Sequence, residues 1–270
     1  MVKTIGIIAI KGGVGKTTTT LNLGAVLAES FGKKVLLVDA NFSAPNLGLH
    51  LGIVDPEVTL HHAFSKGHGL KKAIYAYNEK LHLVPGSLGG RKIRDSHLLK
   101  DKIKELKDEY DLVLVDSSPA LDEEILSTMH AADKLFVVTS TDYPTLSTTM
   151  HAVKVAKEKN TPIAGLIINK ARNKKFELTI EDIEDATGVP VVGVIPDDVK
   201  MLEALSQTVP IVHHNKKREA VHEYKKLAAC ILGQDYYDNR LVQRVKRYFA
   251  KTIPKQDVNR LQVKEEHFRK

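Results

Sequence analysis

The sequence predicts an α/β fold in which a mostly parallel central sheet is flanked by helices, giving three layers. Short apolar segments alternate with helical segments along almost the whole chain, which is the order of elements in parallel sheets. These apolar segments are hydrophobic at every position rather than at alternate positions, as expected for strands that are covered on both faces. A glycine-rich connection, at residues 12–15, joins the first strand to the first helix.

Each strand of this sheet is predicted from one apolar run. The first run covers residues 4–10, and a helix begins near Thr17, after the glycine-rich connection. Further strands are predicted at residues 34–39, 81–86, 112–116, 135–138, 163–168 and 191–195. Apolar residues at helical spacing predict helices between or after these strands, over residues 99–110, 147–159, 179–186 and 216–232.

The composition is that of a soluble globular protein, because 43% of the 270 residues are hydrophobic and 27% are charged. Residues 1–10 resemble a strand rather than a signal peptide, and no apolar run approaches the roughly 18 residues that a membrane span needs. We therefore expect a cytoplasmic protein. Cys230 is the single cysteine and lies in an apolar helical run, which excludes an internal disulfide and favours a buried thiol.

The glycine-rich connection is typical of a phosphate-binding loop. Gly12, Gly13 and Gly15 allow successive backbone N–H groups to point inward at an anion, with the N-terminus of the next helix behind them. Lys16 is expected to contact the β- and γ-phosphates of a nucleotide, and the Thr17 hydroxyl is expected to bind Mg²⁺. Together with the alternating strands and helices, this loop predicts a P-loop fold that binds a nucleoside triphosphate.

A carboxylate at the end of a strand next to the loop completes the magnesium site in P-loop proteins. Asp116 ends the strand predicted over residues 112–116, and Asp39 ends the strand predicted over residues 34–39. Because the carboxyl ends of parallel strands meet at one edge of a sheet, both carboxylates are expected near the loop. The sequence therefore predicts Thr17, Asp39 and Asp116 as the residues that hold Mg²⁺.

The details of the loop point to one family of P-loop proteins. The usual motif requires a glycine where Ile10 stands, and a second lysine, Lys11, opens the loop instead. The run Lys-Gly-Gly-Val-Gly-Lys-Thr at residues 11–17 resembles the deviant Walker A loop of the MinD/ParA family of ATPases, and the nearest pattern is that of MinD-like proteins of the archaeal type. This resemblance implies that the nucleotide is bound by the loop residues Lys11, Gly12, Gly13, Val14, Gly15, Lys16, Thr17 and Thr18.

The base that the site accepts follows from residues 169–172, which read Asn-Lys-Ala-Arg. A guanine-reading Asn-Lys-x-Asp motif would need an Asp where Arg172 stands, and a guanidinium has no acceptor for the guanine N–H groups. Adenine is therefore favoured. The family resemblance assigns Asn169 to the adenine contact, and it identifies residues 193–198, which include Pro196 and Asp197, as the segment whose backbone closes over the base.

Two further segments resemble the switch regions of this family. Residues 110–119 are similar to its Walker B and switch II segment, and residues 40–49, the switch I segment, follow Asp39. The usual Asp-x-Asp of switch I reads Asp-Ala-Asn here, which places Asn41 at the second acidic position. Asn41 can orient a water molecule through its carbonyl oxygen but cannot accept a proton at neutral pH. With Lys11 and Lys16, Asn41 forms the predicted catalytic set, and we expect slow hydrolysis of ATP, unless positioning and charge neutralisation suffice.

The resemblance implies an ATPase that forms a face-to-face homodimer when it binds ATP. Lys11 would then reach the phosphates of the partner, and hydrolysis would release the dimer. Such a switch uses ATP and Mg²⁺, is stimulated by a regulatory protein partner, and positions cellular machinery in division, motility or membrane-associated complexes. Two alternatives stay open: a ParA-type partition ATPase that binds DNA nonspecifically, and a slow or non-hydrolysing adaptor gated by nucleotide.

The C-terminal residues carry most of the positive charge. The net charge is +7, and residues 234–270 contribute +5 of it, with ten Lys and Arg against five Asp and Glu. We therefore divide the chain into a deviant Walker A ATPase domain at 1–233 and a basic, partly amphipathic extension at 234–270. A basic amphipathic helix is predicted over 240–253, and three roles are open for it: peripheral binding to the inner face of the cell membrane, nonspecific contact with DNA, or packing on its own domain.

Overall fold

The computed structural model describes residues 3–64, 69–88, 97–106, 109–236, 238 and 253–268. Its eight-stranded sheet consists of β1 (Lys3–Ile8), β2 (Val35–Ala40), β3 (Tyr75–Ala76), β4 (Leu81–Val84), β5 (Leu112–Ser117), β6 (Lys134–Thr139), β7 (Ile163–Ala171) and β8 (Val191–Pro196). The strand order is β3-β4-β2-β5-β1-β6-β7-β8. Within the described residues, β3 pairs antiparallel with β4 and the other pairings are parallel, which confirms the predicted α/β sheet.

Helices cover both faces of this sheet. They are α1 (Lys16–Phe31), α2 (Leu60–Ala63), α3 (Leu98–Lys104), α4 (Glu123–Ala131), α5 (Tyr143–Glu158), α6 (Ile180–Thr187), α7 (Val199–Ser206), α8 (Ile211–His214), α9 (Glu219–Ile231) and α10 (Lys255–Val263). Short 3₁₀ helices lie at Leu49–Leu51 and Leu70–Ala73, and a π-helical turn, Lys264–Phe268, follows α10. None of the helices in the described part of the chain has the length and apolar character needed to cross a membrane.

Successive residues of each strand point to opposite faces and so build separate cores. In β2, Val35 and Leu37 join the core under α1 and α9, whereas Leu36 and Val38 join the core under α2 and α3. A third core lies under α4, α5 and α6 and contains Ile8 of β1. Because the central strands are buried on both faces, their sequences are apolar at successive positions, which is the pattern that predicts the sheet.

Among the elements predicted within the described residues, each strand and helix is confirmed, and the ends shift by four residues at most, apart from one helix. The helix predicted over 99–110 ends at Lys104, although Leu106 and Tyr110, the last apolar residues of its stripe, are buried as well. Strand β3 is absent from the sequence prediction because two residues at the edge of the sheet leave no periodic signal. Apolar spacing therefore identifies buried positions here more reliably than it identifies the end of a helix.

Residues 253–268, which belong to the predicted extension, pack on the sheet. Val263 and Phe268 are buried in the core that contains α1 and α9. The Phe268 ring stacks on Phe136 of β6, with 6.2 Å between the ring centroids. Of the predicted basic helix at 240–253, residues 240–252 lie outside the described residues. Its three possible roles and the division of the chain at residue 233 therefore stay predictions.

Helix α10 covers β8, the edge strand of the sheet. Asn259 Nδ2 donates a hydrogen bond to Val191 O at 2.8 Å, and Arg260 Nη1 donates to Val192 O at 2.8 Å. The Arg260 guanidinium also pairs with Glu223 of α9, with 3.0 Å between Nη1 and Oε2, and both side chains are buried. An open edge strand offers such carbonyl groups for pairing with another chain. Helix α10 therefore closes one edge of the sheet.

We expect Arg260→Met to lower the free energy of unfolding by about 2 kcal/mol, because Val192 O and Glu223 both lose the guanidinium while Glu223 keeps its contact with Lys226. Urea denaturation followed by circular dichroism measures this loss. The matched control is Lys255→Met on the same helix, which removes the ion pairs of a 41% exposed lysine with Glu181 and Glu184 and should cost less than about 1 kcal/mol. Equal losses in the two variants would contradict the role assigned to Arg260.

Candidate nucleotide-binding site

The predicted phosphate-binding loop connects β1 to α1, and two of its glycines adopt backbone angles that other residues rarely adopt. Gly13 (φ 78°) and Gly15 (φ 97°) lie in the left-handed region. A Cβ at Gly15 would also lie 2.0 Å from Asn169 Nδ2, which excludes a side chain at this position. Gly15 is the N-cap of α1, so the free backbone N–H groups of the first helical turn, which begins at Lys16, belong to the loop.

The other loop residues occupy different environments. Gly12 is exposed, whereas Val14 and Lys16 are buried. Thr18 lies in the first turn of α1, where its carbonyl oxygen accepts a hydrogen bond from Asn22 Nδ2 at 2.8 Å. The loop is thus held by an apolar contact in its middle and by α1 at its end, as a preformed phosphate site requires.

Two side chains at the end of β7 support the loop from its other side. Asn169 Nδ2 donates a hydrogen bond to Val14 O at 2.8 Å, and Lys170 Nζ donates to Gly13 O at 2.8 Å. Asn169 is buried, whereas Lys170 is exposed and has a φ of 58°. The amide nitrogen of Asn169 is therefore a support for the loop, which the sequence does not reveal. The predicted contact between Asn169 and adenine stays a prediction.

Lys11, the additional loop lysine, is bound by the start of helix α5. Its Nζ donates to Thr145 Oγ1 at 2.7 Å and to Asp142 Oδ1 at 3.2 Å. Burial acts to raise the pKa of Asp142, but hydrogen bonds from Ser140, Thr145 and Lys11 outweigh it and hold that pKa well below its usual range. The side chains of Lys11 and Asp142 are 40% and 47% exposed, so their ion pair is a surface contact that is easily broken.

The predicted metal ligands meet beside the loop. Asp39 on β2 and Asp116 on β5 are register partners on neighbouring strands, and both are fully buried. Thr17 Oγ1 donates to Asp116 Oδ2 at 2.7 Å, and Thr20 Oγ1 donates to Asp116 Oδ1 at 3.2 Å. The structure therefore brings together the three residues that the sequence assigns to Mg²⁺, although they are far apart in the chain.

The two carboxylates resist ionisation because they share a buried site. Burial, together with the charge of Asp116, raises the pKa of Asp39 to about 8, and burial raises the pKa of Asp116 to about 6. Lys16 offsets part of the shift at Asp116, while burial lowers the pKa of Lys16 itself. A divalent cation would relieve the repulsion between the carboxylates, and their oxygens and the Thr17 hydroxyl are ligands that suit Mg²⁺.

The number of protein ligands also suits a magnesium ion bound together with a nucleotide. No cluster of three or more His, Cys, Asp or Glu side chains that could hold a metal occurs among the residues that the structure describes. Mg²⁺ is usually held by one or two carboxylates, with phosphate oxygens and water as the remaining ligands. Asp39 and Asp116 match that requirement.

Asn41, the predicted catalytic asparagine, is turned back into its own loop. Its Nδ2 donates to Ala44 O at 2.7 Å, and its Oδ1 accepts from Ala44 N at 3.2 Å. The backbone N–H groups of Asn41 and Leu47 donate to Asp39 Oδ1 at 3.2 Å and to Asp39 Oδ2 at 2.9 Å. In this conformation one N–H group and one carbonyl lone pair of the carboxamide bond to Ala44, so the turn fixes the direction in which the carboxamide points.

The segment predicted to close over the base begins at the end of β8. Pro196 ends the strand, and Asp197 N donates to Ala171 O at 2.9 Å. Arg172, which stands where a guanine-reading motif has Asp, forms an ion pair with Asp197, with 2.7 Å between Nε and Oδ2. The sequence does not predict this ion pair, because the two residues come together only when β7 and β8 lie next to each other in the sheet.

We expect the metal-free protein to become less stable as the pH rises. A carboxyl whose folded-state pKa lies above 3.8 favours folding at low pH, and this contribution is lost as the pH rises through about 6 for Asp116 and about 8 for Asp39. Asp39→Asn removes one of these groups. The variant should therefore be stabilised relative to the parent by about 3 kcal/mol more near pH 8.5 than near pH 5.5.

Urea denaturation in EDTA without nucleotide measures this gain at each pH. Asp55→Asn is the control, because it makes the same chemical change at an exposed position. A gain from Asp39→Asn that is the same at both pH values would contradict the assignment of the titration to the buried pair.

Comparisons with known proteins agree with this geometry. A family model described as the CobQ/CobB/MinD/ParA nucleotide binding domain matches residues 5–211. An uncharacterised ATP-binding protein of Methanocaldococcus jannaschii is 30% identical over 251 residues, which are 92% of this chain and 94% of that protein. The solved cell division ATPase MinD of Pyrococcus furiosus has a TM-score of 0.77 and 32% identity, with 84% of this chain and 97% of that chain covered.

A fourth comparison bears on the cofactors. The septum site-determining protein MinD of Pyrococcus horikoshii, solved with Mg-ADP, has a TM-score of 0.77 and 30% identity, with 93% of this chain and 100% of that chain covered. The expected cofactors, ATP and Mg²⁺, agree with this complex, and the resemblance to archaeal MinD-like proteins is confirmed. The matched residues 5–211 include all the residues predicted above for the loop, the switch segments and the contact with the base. The chain belongs to the CobQ/CobB/MinD/ParA family of nucleotide-binding domains.

Proposed function

We propose that this protein is a MinD-like ATPase that hydrolyses ATP with Mg²⁺ and acts as an ATP-dependent dimerisation switch. The observation that carries the proposal is the position of Lys11. Its ammonium is held by Asp142 and Thr145 on α5, outside the turn formed by the glycines, whereas Lys16 is buried next to Asp116. Lys16 is thus available to bind the phosphates of the chain's own nucleotide, and Lys11 is available to bind the phosphates of a partner's nucleotide.

Binding of ATP would use parts of the site that are already in place. The backbone N–H groups from Gly13 to Thr18 and the Lys16 ammonium would bind the phosphates. Thr17, Asp39 and Asp116 would hold Mg²⁺, which supplies charge neutralisation at the β- and γ-phosphates. Buried side chains fix the loop before the ligand arrives, so little ordering entropy would be lost on binding.

Moving the Lys11 side chain from its contacts with Asp142 and Thr145 to the phosphates of a partner would cost little free energy. An ion pair with this exposure is worth at most about 1 kcal/mol, and a phosphate dianion is a stronger partner for an ammonium than one exposed carboxylate. In the dimer, Lys11 would stabilise the charge that develops on the partner's γ-phosphate, as an arginine finger does. The family to which the chain belongs and the cell division ATPase MinD of P. furiosus support this function.

The cellular task of the switch is the positioning of machinery for division, motility or a membrane-associated complex, in response to a regulatory protein partner. Peripheral attachment to the inner face of the cell membrane through residues 240–253 is part of this proposal, and residues 240–252 lie outside the described residues. Partition of DNA by a ParA-type mechanism is the alternative for the same segment. A nucleotide-gated adaptor without turnover is the alternative that Asn41 suggests.

The dimerisation switch is tested by Lys11→Ala. We expect the parent to become dimeric with Mg²⁺ and a non-hydrolysable ATP analogue, and Lys11→Ala to stay monomeric, because the lysine acts on the partner's phosphates. Light scattering coupled to gel filtration measures the mass, and calorimetry should give ATP affinities within about twofold of each other. Lys175→Ala, at an exposed position between β7 and α6, is the matched control. A dimer of Lys11→Ala as stable as that of the parent would contradict the proposal.

Asn41→Asp tests the explanation of slow hydrolysis. If the missing base limits the rate, this variant should hydrolyse ATP at least about tenfold faster than the parent in single-turnover assays. Asn41→Ala is the control, because it also removes the donor to Ala44 O but adds no base. An Asn41→Asp variant that is no faster than the parent would contradict the explanation. Tight ATP binding with no turnover in either protein would favour the adaptor.

A further inference from the structure

Glu124 is a buried carboxylate whose hydrogen-bond partners lie on the switch I segment, residues 40–49. It is the second residue of α4 and is only 1% exposed. Its Oε2 accepts a hydrogen bond from Ser43 N at 3.2 Å, and its Oε1 accepts a short hydrogen bond from Ser43 Oγ. Ser43 itself is exposed. A buried side chain of the helix that follows the Walker B segment therefore holds a surface residue of switch I through two bonds.

Ser43 lies inside the turn that Asn41 closes. The carboxamide of Asn41 bonds to both backbone polar groups of Ala44, so residues 41–44 form one hydrogen-bonded unit. Ser43 cannot move away from Glu124 without moving this unit. Because Asp39 also accepts from the backbone N–H of Asn41, the position of Ser43 is linked to the metal-binding carboxylate.

The opposite side of the same turn is fixed by packing. Phe42 is buried, and its ring meets His61 edge to face at a centroid distance of 5.2 Å. Ser87 N donates to His61 Nδ1 at 3.0 Å, so Nε2 carries the proton and donates to Phe42 O at 3.2 Å. Buried contacts therefore anchor Phe42, whereas the contact between Ser43 and Glu124 has one exposed partner, Ser43.

We propose that Glu124 is a positioning residue that controls when Asn41 acts. While Glu124 holds Ser43, the Asn41 carboxamide stays closed on Ala44. When the contact opens, the turn loosens and the carboxamide becomes free to orient the attacking water. This inference rests on the proposed ATPase function, and it assigns to α4 the task of coupling the two switch segments. A regulator that displaces the start of α4 would act through the same contact.

The effect on the turn is tested first, without nucleotide. Glu124→Met keeps the length of the side chain and removes both acceptor oxygens, and hydrogen exchange of residues 41–47 should become about tenfold faster. Glu124→Gln can accept from Ser43 N and donate to Ser43 Oγ, so its exchange should match that of the parent. Glu123→Met, at the exposed neighbouring position, is the matched control. Unchanged exchange in Glu124→Met would overturn the proposal.

The effect on chemistry is tested by ATP turnover. We expect Glu124→Met to raise kcat about tenfold and to leave KM within about twofold, because nucleotide binding does not involve Ser43. Glu124→Gln should retain the parent's kcat. In an Asn41→Ala background, Glu124→Met should have no effect on kcat, since it acts through Asn41. A kcat of Glu124→Met that is unchanged or lower, or a rise that persists in the Asn41→Ala background, would overturn the proposal.

The experiments distinguish a wrong role for Glu124 from a wrong proposal of ATPase function. If the parent binds ATP and shows no turnover, the ATPase proposal fails together with the catalytic role of Glu124. Hydrogen exchange then still decides whether Glu124 holds the turn. Thermal unfolding of each variant identifies a loss of global stability, which would raise exchange throughout the chain rather than in residues 41–47 alone.

Discussion

The burial of Asp39 and Asp116 side by side is the constraint on which the rest of the site depends. Two ionised carboxylates that are buried side by side cost the fold free energy until a proton or a cation neutralises them. The strand order imposes this arrangement, because β2 and β5 are neighbours and β1 brings the loop and Lys16 to the same edge. The folded site is therefore incomplete by itself. It gains most from a ligand that arrives with its own divalent cation, which is how nucleoside triphosphates are bound.

The same buried pair connects the predicted metal site to the switch I segment. Asp39 accepts hydrogen bonds from the backbone N–H groups of Asn41 and Leu47, and an ionised carboxylate is a stronger acceptor than a protonated one. A bound cation favours the ionised form but also occupies its oxygens. Binding therefore changes the bonds that shape residues 41–47, whichever of these effects is larger. The conformation of Asn41 is thus coupled to metal binding through one buried side chain.

The sequence predicts those parts of the molecule that depend on neighbouring residues in the chain. Strands buried on both faces are apolar throughout, and the residues at their carboxyl ends meet at one edge, so Asp39 and Asp116 are found without a structure. Hydrogen bonds from Asn169 to the loop and the ion pair of Arg172 escape prediction, because they depend on which strands are neighbours and on rotamers. The packing of α10 on β8 escapes it too, since its anchors are a polar Asn and a buried Arg rather than an apolar stripe.

The contacts of the site fall into two groups that differ in burial. We call the buried contacts the interior and the contacts that include an exposed side chain the rim. Val14, Asn169 and Asp116 are buried, and their contacts exchange with water only when the domain opens. The contact of Lys11 with Asp142 is exposed, so solvent weakens it and competing groups can reach it. The contact of Ser43 with the buried Glu124 has its exposed partner in Ser43. A second protein surface can act on the rim, whereas the interior contacts lie beyond its reach. The groups that would carry the signal of a bound nucleotide therefore lie where a partner can reach them.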